Sequence, residues 1–146
     1  MKKFELTTEF ITNFLGTKLF RIKALVEFGK VEKGELGGFV EKEENLDHDG
    51  DAWVSGNAWV SGDAWVSGDQ MYATVKGFGS EYRNTTFFIT KDGNVCVNCG
   101  CFSGTLEQFR EKVEETHKDT KYAKEYLMIA DLMEMHFKEE LEKIKK

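Results

Sequence analysis

The sequence predicts an α+β fold in which N-terminal strands lead into a short solenoid of strands, followed by a β-hairpin and two C-terminal helices. Three observations support it: three nearly identical hexads in the middle of the chain, a turn dipeptide between two alternating apolar segments, and two helical patterns near the end. We expect two structural segments, with the strands and hexads in residues 1–80 and the hairpin and helices in residues 81–146.

Two patterns precede the hexads. Residues 18–28 alternate between apolar and mixed side chains, which is typical of a strand with one buried face. The side chains predicted on that buried face are Phe20, Ile22, Ala24, Val26 and Phe28. Residues 7–15 place apolar side chains at helical spacing behind Thr7-Thr8-Glu9, which predicts a short helix.

The hexads are Gly50–Ser55, Gly56–Ser61 and Gly62–Ser67, each with the pattern Gly-Asp/Asn-Ala-Trp-Val-Ser. A six-residue period is too short for a helical repeat and suits a solenoid strand followed by a corner. Because side chains alternate along a strand, the Ala and Val of each hexad share one side and the Trp takes the other. We therefore expect Ala and Val in the core, Trp outside, and Gly with Asp or Asn at positive-φ corners.

The hexads resemble the hexapeptide pattern of left-handed parallel β-helices, in which a small residue stands four positions after an aliphatic one, as Ala58 follows Val54. This resemblance implies triangular coils of about 18 residues. The six-residue spacing can be followed toward the N-terminus, where Val40 and Leu46 occupy the positions that correspond to Ala in each hexad. About two coils are predicted, and flanking segments or a second chain must cap them.

The six-residue spacing can also be followed toward the C-terminus, into the residues after the third hexad. An 18-residue coil places Met71 above Trp53 and puts Tyr72 at a Val position. The three tryptophans then lie on three different faces of the coil.

A hairpin is predicted after the hexads, because Asp92-Gly93 separates alternating segments at residues 86–91 and 94–99 and favours a type I′ turn. Thr105 and Gln108 form a capping-box pattern at the start of the first helix. The inner face of that helix is predicted to contain Leu106, Phe109 and Val113.

The second helix is predicted from Asp119 or Thr120 toward Lys145, and its apolar residues form two stripes. One contains Tyr122, Tyr126, Ile129, Met133 and Phe137, and the other contains Met128, Leu132 and Met135. A helix that is apolar on two sides is expected to have two neighbours. We therefore predict a homodimer, with a trimer as the alternative.

The charge distribution limits the partners. The net charge is −6, and residues 31–80 alone carry three lysines against ten acidic residues. Direct binding of nucleic acid through phosphate contacts is disfavoured, whereas a basic protein partner is compatible. No apolar run reaches the roughly 20 residues of a membrane span, and the polar N-terminus is unlike a secretory signal, so a cytoplasmic location without membrane contact is expected.

Three patterns suggest metal or catalytic chemistry, and each has a simpler reading. A strand puts Cys96 and Cys99 on opposite faces, which disfavours a metal site with Cys101 and His117. Residues 47–51 alternate carboxylates, but Ala52 and Ala58 stand where a calcium loop of the EF-hand type requires Gly and Glu. Hexapeptide acyltransferases use a histidine base, and His48 adjoins the hexads, but the array is too short for their coenzyme. We expect no catalytic residue, cofactor or metal, and hence no enzyme.

Binding residues are predicted from expected exposure, since tryptophan contributes a large contact area at small entropic cost. The predicted surface consists of Trp53, Trp59, Trp65, Met71, Met128, Leu132 and Met135. The alternative for each tryptophan is burial beneath the C-terminal hairpin and helices.

Several segments together resemble small accessory proteins of bacteriophages and prophages that carry a hexapeptide-repeat array, a C-terminal hairpin and two helices. The similar segments are residues 19–25, 34–41, the hexads, 99–105 and 115–126. The resemblance implies a viral protein in the bacterial cytoplasm that counters host defence, by binding a defence protein or by sequestering a nucleotide signal. The alternatives are a virion or assembly component and, less favoured, an acyltransferase.

Overall fold

A computed structural model describes residues 2–13, 15–56, 58–62, 64–66, 71–78, 83–99 and 102–145. It contains two four-stranded sheets and two C-terminal helices. The predicted α+β class is confirmed.

The first sheet has the order β1-β2-β3-β4. Its strands are β1 (Phe4–Thr12), β2 (Lys18–Ala24), β3 (Leu36–Val40) and β4 (Trp59–Val60). Pairing is antiparallel except between β3 and β4, which are parallel. The helix predicted for residues 7–15 is wrong: most of this segment lies in β1, where its Thr and Phe side chains suit a strand and its backbone pairs with β2.

Strand β2 confirms the predicted buried face only in part. Ile22 and Ala24 are buried, but Leu19 is buried in place of the half-buried Phe20. The pairing register with β3 shifts between Arg21 and Lys23, and such an irregularity changes which side chains face the core.

The second sheet is an antiparallel meander with the order β5-β6-β7-β8. Its strands are β5 (Tyr72–Phe78), β6 (Arg83–Ile89), β7 (Val95–Cys99) and β8 (Phe102–Thr105). The expected segment boundary at residue 80 therefore falls between two paired strands of one sheet.

The second sheet separates two hydrophobic cores. Phe87, Ile89 and Val97 pack with the C-terminal helices. Phe88 packs on the opposite side with the Ala and Val residues of the hexads. The molecule is thus layered in the order hexads and first sheet, second sheet, helices.

The predicted two-coil parallel β-helix is not shown. In the described part of residues 50–66, the only strand is the two-residue β4. Two parallel contacts, Val40 with Val60 and Leu46 with Val66, join residues 20 positions apart instead of 18. Val40 and Leu46 therefore align with Val positions, and their predicted alignment with Ala positions is wrong, because the step from Leu46 to Val54 is two residues longer than a hexad.

Within the hexads, the predicted side-chain directions are confirmed for the core. The Ala and Val residues are all buried, namely Ala52, Ala58, Ala64, Val54, Val60 and Val66. The glycines at the three corners have positive φ, with values of 73° at Gly50, 59° at Gly56 and 64° at Gly62. The corner residues Asn57 and Asp63 lie outside the described residues.

The hairpin between β6 and β7 is confirmed, but its turn differs from the prediction. Gly93 donates its N–H to the Thr90 carbonyl, and Thr90 donates its N–H to the Asn94 carbonyl. Gly93 has a φ of 86°, whereas Asp92 is not in the left-handed region that a type I′ turn requires at both central residues. The loop therefore has three residues and ends in a glycine bulge.

The helices are α1 (Leu106–His117) and α2 (Lys121–Lys145). The capping box is confirmed: the Thr105 hydroxyl accepts from the Gln108 N–H, and the Gln108 side chain accepts from the Thr105 N–H. In α2, Ile129, Met133 and Phe137 are buried as predicted. Neither helix, as described, has the length and apolar character needed to cross a membrane.

Candidate functional site

The seven predicted surface residues fall into two groups. Trp53 and Met71 are 5% and 4% exposed, so the prediction that they lie on a surface is wrong. Trp59 is half-buried, while Trp65 is 38% exposed. Met128, Leu132 and Met135 are 71%, 50% and 68% exposed.

Trp53 is buried because the first sheet leaves space for its ring. A Cβ at Gly37 would come within 2.7 Å of Trp53 Cζ2, so the missing side chain is what admits the indole. The ring also meets Phe28 edge to face, with 5.4 Å between ring centroids. Trp53 therefore joins the hexads to the N-terminal strands, and the pair Gly37-Gly38 was the sequence feature that could have indicated it.

Met71 belongs to the core beneath the C-terminal helices and does not stack on Trp53. Its neighbour Tyr72 contacts the hexads instead: the Tyr72 hydroxyl donates to the Trp53 carbonyl at 2.8 Å and accepts from the Ser55 N–H at 3.1 Å. The chain therefore changes layers at the start of β5.

A pocket of about 140 Å³ lies between the hexads and the second sheet. Its lining combines apolar, thiol, hydroxyl and amide groups, including those of Leu15, Ser61, Phe88, Cys96, Asn98 and Ser103. Parts of the chain that are distant in sequence meet here.

Asn98 holds this pocket together. Its side-chain amide donates to the Trp59 carbonyl at 3.0 Å and to Ser61 Oγ at 2.8 Å. Its Oδ1 accepts from the Ser103 hydroxyl at 2.6 Å. Sequence reasoning missed this residue, although an asparagine within the apolar strand β7 is unusual enough to indicate a buried hydrogen-bonding role.

The rim of the pocket is apolar and accessible. Leu15 lines the pocket and is 69% exposed. Gly62 also lines it, and the exposed Trp65 follows three residues later. We define the pocket surface as the residues that line the pocket, with Leu15 at its mouth.

His48 has a structural environment. Its Nδ1 accepts the Lys3 N–H at 3.0 Å, and its Nε2 lies 3.3 Å from Glu43 Oε1. The ring stacks on Phe4, with 4.3 Å between centroids. Nδ1 and the ring face thus hold the start of β1 against the segment before the hexads, while Nε2 contacts Glu43 within that segment.

The predicted thiol cluster is described only at Cys96, a half-buried thiol that lines the pocket. Cys101 and the side chains of Cys99 and His117 lie outside the description. Among the described residues, no group of three or more His, Cys, Asp or Glu side chains could hold a metal ion.

The acidic segment before the first hexad forms a local turn, with Asp47 Oδ1 accepting from the Asp49 N–H at 3.0 Å. Asp49 and Asp51 are exposed to solvent. These carboxylates contribute negative charge to the hexad side of the molecule.

The exposed stripe of α2 consists of Met128, Leu132 and Met135. Next to it, Arg110 of α1 binds Glu107 at 2.6 Å and both Asp131 and Glu134 at 2.9 Å. Burial lowers the pKa of Arg110, but hydrogen bonds to the carboxylates, Glu134 first, outweigh it and raise the pKa above its usual value. The guanidinium stays charged and fixes α1 to α2.

Comparison with known proteins adds no relative: no protein-family model, curated protein or solved structure matches the chain. The resemblance to phage accessory proteins therefore stays a prediction, and the two exposed surfaces are the structural features that bear on function.

Proposed function

We propose that this protein is a non-enzymatic binding protein of phage origin that inhibits a bacterial defence protein by docking on the pocket surface. The observation that carries the proposal is the exposed Leu15 at the mouth of a pocket whose wall is fixed by three Asn98 hydrogen bonds. A rigid pocket with an apolar rim suits an inserted anchor side chain, and such anchors supply most of the energy of protein interfaces.

The same geometry favours a protein partner over a nucleotide signal. Sites for small ligands and cofactors have volumes of about 300–1,000 Å³, and this pocket has about 140 Å³. A net charge of −6 also repels an anionic nucleotide. A single side chain from a protein fits both the volume and the charge.

The charge on the hexad side defines the partner further. Residues 31–80 carry a net charge of −7, and Asp49, Asp51 and Glu44 are exposed there. Complementary charge accelerates association and selects among partners. The proposed partner therefore presents a basic surface around an apolar anchor.

The hexads supply the scaffold for this surface, and we interpret them as a minimal parallel solenoid. Backbone hydrogen bonds join the hexads to the segment before them. Gly38 donates its N–H to the Val54 carbonyl at 2.7 Å, and Asp47 donates its N–H to the Val66 carbonyl at 2.9 Å. Buried, hydrogen-bonded backbone of this kind orders the rim before a partner binds, which reduces the entropy lost on binding.

The proposal is tested with two surface variants of exposed apolar residues, Leu15→Asp at the pocket and Trp65→Ser, three residues after the lining residue Gly62. The control is Leu36→Asp, because Leu36 is 52% exposed and does not line the pocket. The wild-type chain is used to capture a protein from the lysate of a defence-bearing host. The captured protein is identified and purified, and its binding to each variant is measured by calorimetric titration. We expect each surface variant to weaken binding at least about tenfold, as for loss of an interface anchor, and the control to leave it unchanged.

Three results would contradict this function. They are the absence of any retained host protein, equal affinity of the surface variants and the wild type for that protein, and retention of a nucleotide by the purified chain. Recovery of the chain in purified virions would indicate a structural role, and thermal stabilisation by acetyl coenzyme A would indicate acyl transfer.

A further inference from the structure

We infer that the exposed stripe of α2 binds the same stripe of a second copy of this chain, with the two helices antiparallel. This interface is separate from the pocket surface, which lies on the opposite side of the second sheet from the helices. The exposed residues of α2 and the order of their charges favour this pairing.

The exposed face of α2 follows a seven-residue spacing. Lys121, Met128, Met135 and Glu142 stand seven residues apart, so they form one line along the helix. Leu132 lies beside the centre of this line. All five side chains are exposed in the single chain, and the line spans about 32 Å at 1.5 Å per residue.

The charges on this face are segregated by position. Lys121 and Lys124 lie at its N-terminal end, and Glu139 and Glu142 lie at its C-terminal end. All four are exposed, and among the ion pairs between described residues none includes them. The face therefore has a positive end, an apolar centre and a negative end.

An antiparallel two-fold arrangement satisfies this order. An axis that crosses the helix between Asp131 and Leu132 places Met128 opposite Met135 and brings the two Leu132 side chains together. The same axis places Lys121 opposite Glu142 and Lys124 opposite Glu139. A parallel pair would instead place lysine against lysine and glutamate against glutamate, and like charges oppose association.

The charges beside the apolar centre do not oppose this arrangement. Asp131 and Glu134 flank the stripe, but both are bound by Arg110 of the same chain. Because the second sheet separates the helices from the hexads, pairing through α2 leaves both pocket surfaces on the outside of the dimer. The dimer can therefore bind two partners.

The apolar centre is short, so the dimer is expected to belong to the small class of interfaces and to dissociate on dilution. Light scattering over a concentration series of the full chain measures this directly. At high concentration we expect a mass of twice 16.7 kDa, falling toward 16.7 kDa on dilution.

Leu132→Glu is the disrupting variant, and Leu36→Glu is its matched control, because Leu36 and Leu132 are 52% and 50% exposed. We expect Leu132→Glu to weaken self-association at least about tenfold, since two buried carboxylates would meet at the axis. Circular dichroism should show equal helix content in both variants. A wild type that is monomeric at all concentrations, a trimeric mass, or a dimer unaffected by Leu132→Glu overturns the proposal.

Charge exchange tests whether the ends of the two helix faces pair by opposite charge. The variant K121E/K124E has only acidic residues at both ends of the face, and E139K/E142K has only basic ones. We expect each variant alone to be monomeric and an equimolar mixture to form a heterodimer that weakens with added salt. Failure of the mixture to dimerise overturns the charge pairing, and none of these results depends on whether a host protein binds the pocket surface.

Discussion

At the scale of single residues, buried asparagines connect the hexads to the rest of the molecule. Asn45 is fully buried, and its amide donates to the Gly62 and Ala64 carbonyls at 3.0 Å and 2.9 Å. Its Oδ1 accepts from the backbone N–H groups of Glu41 and Lys42. One side chain thus forms hydrogen bonds with four backbone groups, two in the third hexad and two in the segment before the hexads.

Asn45→Ala is expected to lower the free energy of unfolding by about 3 kcal/mol, because it leaves buried backbone groups without partners. Urea denaturation followed by tryptophan fluorescence measures the change. Asn94→Ala is the control, since the Asn94 side chain is exposed directly after the hairpin loop, and its change should stay within about 0.5 kcal/mol. Equal stability of the two variants would contradict the role of Asn45.

The sequence predicted the side of a strand on which a residue lies better than it predicted what covers that side. Alternation correctly put Ala and Val of the hexads in the core. It also put Trp53 on the opposite side, but the first sheet covers Trp53 there at Gly37, a contact between distant parts of the chain. The bridging role of Asn98 depends on a similar long-range contact and has no periodic pattern.

At the scale of elements, local patterns were reliable where the structure depends on neighbouring residues. The capping box and the hairpin formed where the sequence placed them. The predicted type I′ turn was wrong, because Asp92-Gly93 is compatible with a two-residue loop and with a three-residue loop. The helix predicted for residues 7–15 was wrong because it relied on a weak local preference. Pairing of β1 with β2 overrides that preference.

Gly93 gives a graded test of the turn. Its φ of 86° is unfavourable for a side chain with a Cβ, so Gly93→Ala is expected to destabilise the protein by about 1–2 kcal/mol. Asparagine tolerates this conformation better, so Gly93→Asn should cost less. Thermal unfolding of both variants checks the order, and a smaller effect for alanine than for asparagine would show that the turn has another geometry.

At the scale of the whole molecule, the second sheet couples its two sides. Phe88 packs with the hexads, and Phe87, the adjacent residue of the same strand, packs with the helices. Hydrogen bonds continue this coupling, because the Trp59 N–H donates to Thr86 Oγ1 and the Asn98 amide donates to the Trp59 carbonyl. This layering could not be predicted from the sequence, since the contacts between layers, such as those of Trp59 with Thr86 and Asn98, join residues 27 and 39 positions apart.

This coupling predicts a single cooperative unfolding transition. All three tryptophans lie in the hexads, whereas both helices follow residue 105, so fluorescence and far-ultraviolet circular dichroism report opposite sides of the second sheet. We expect the two signals to give the same urea midpoint, because loss of either layer exposes the core of the other. Measurement at a concentration where light scattering shows the single chain separates this transition from dissociation of a dimer. Two distinct midpoints would instead show that residues 1–80 and 81–146 unfold independently.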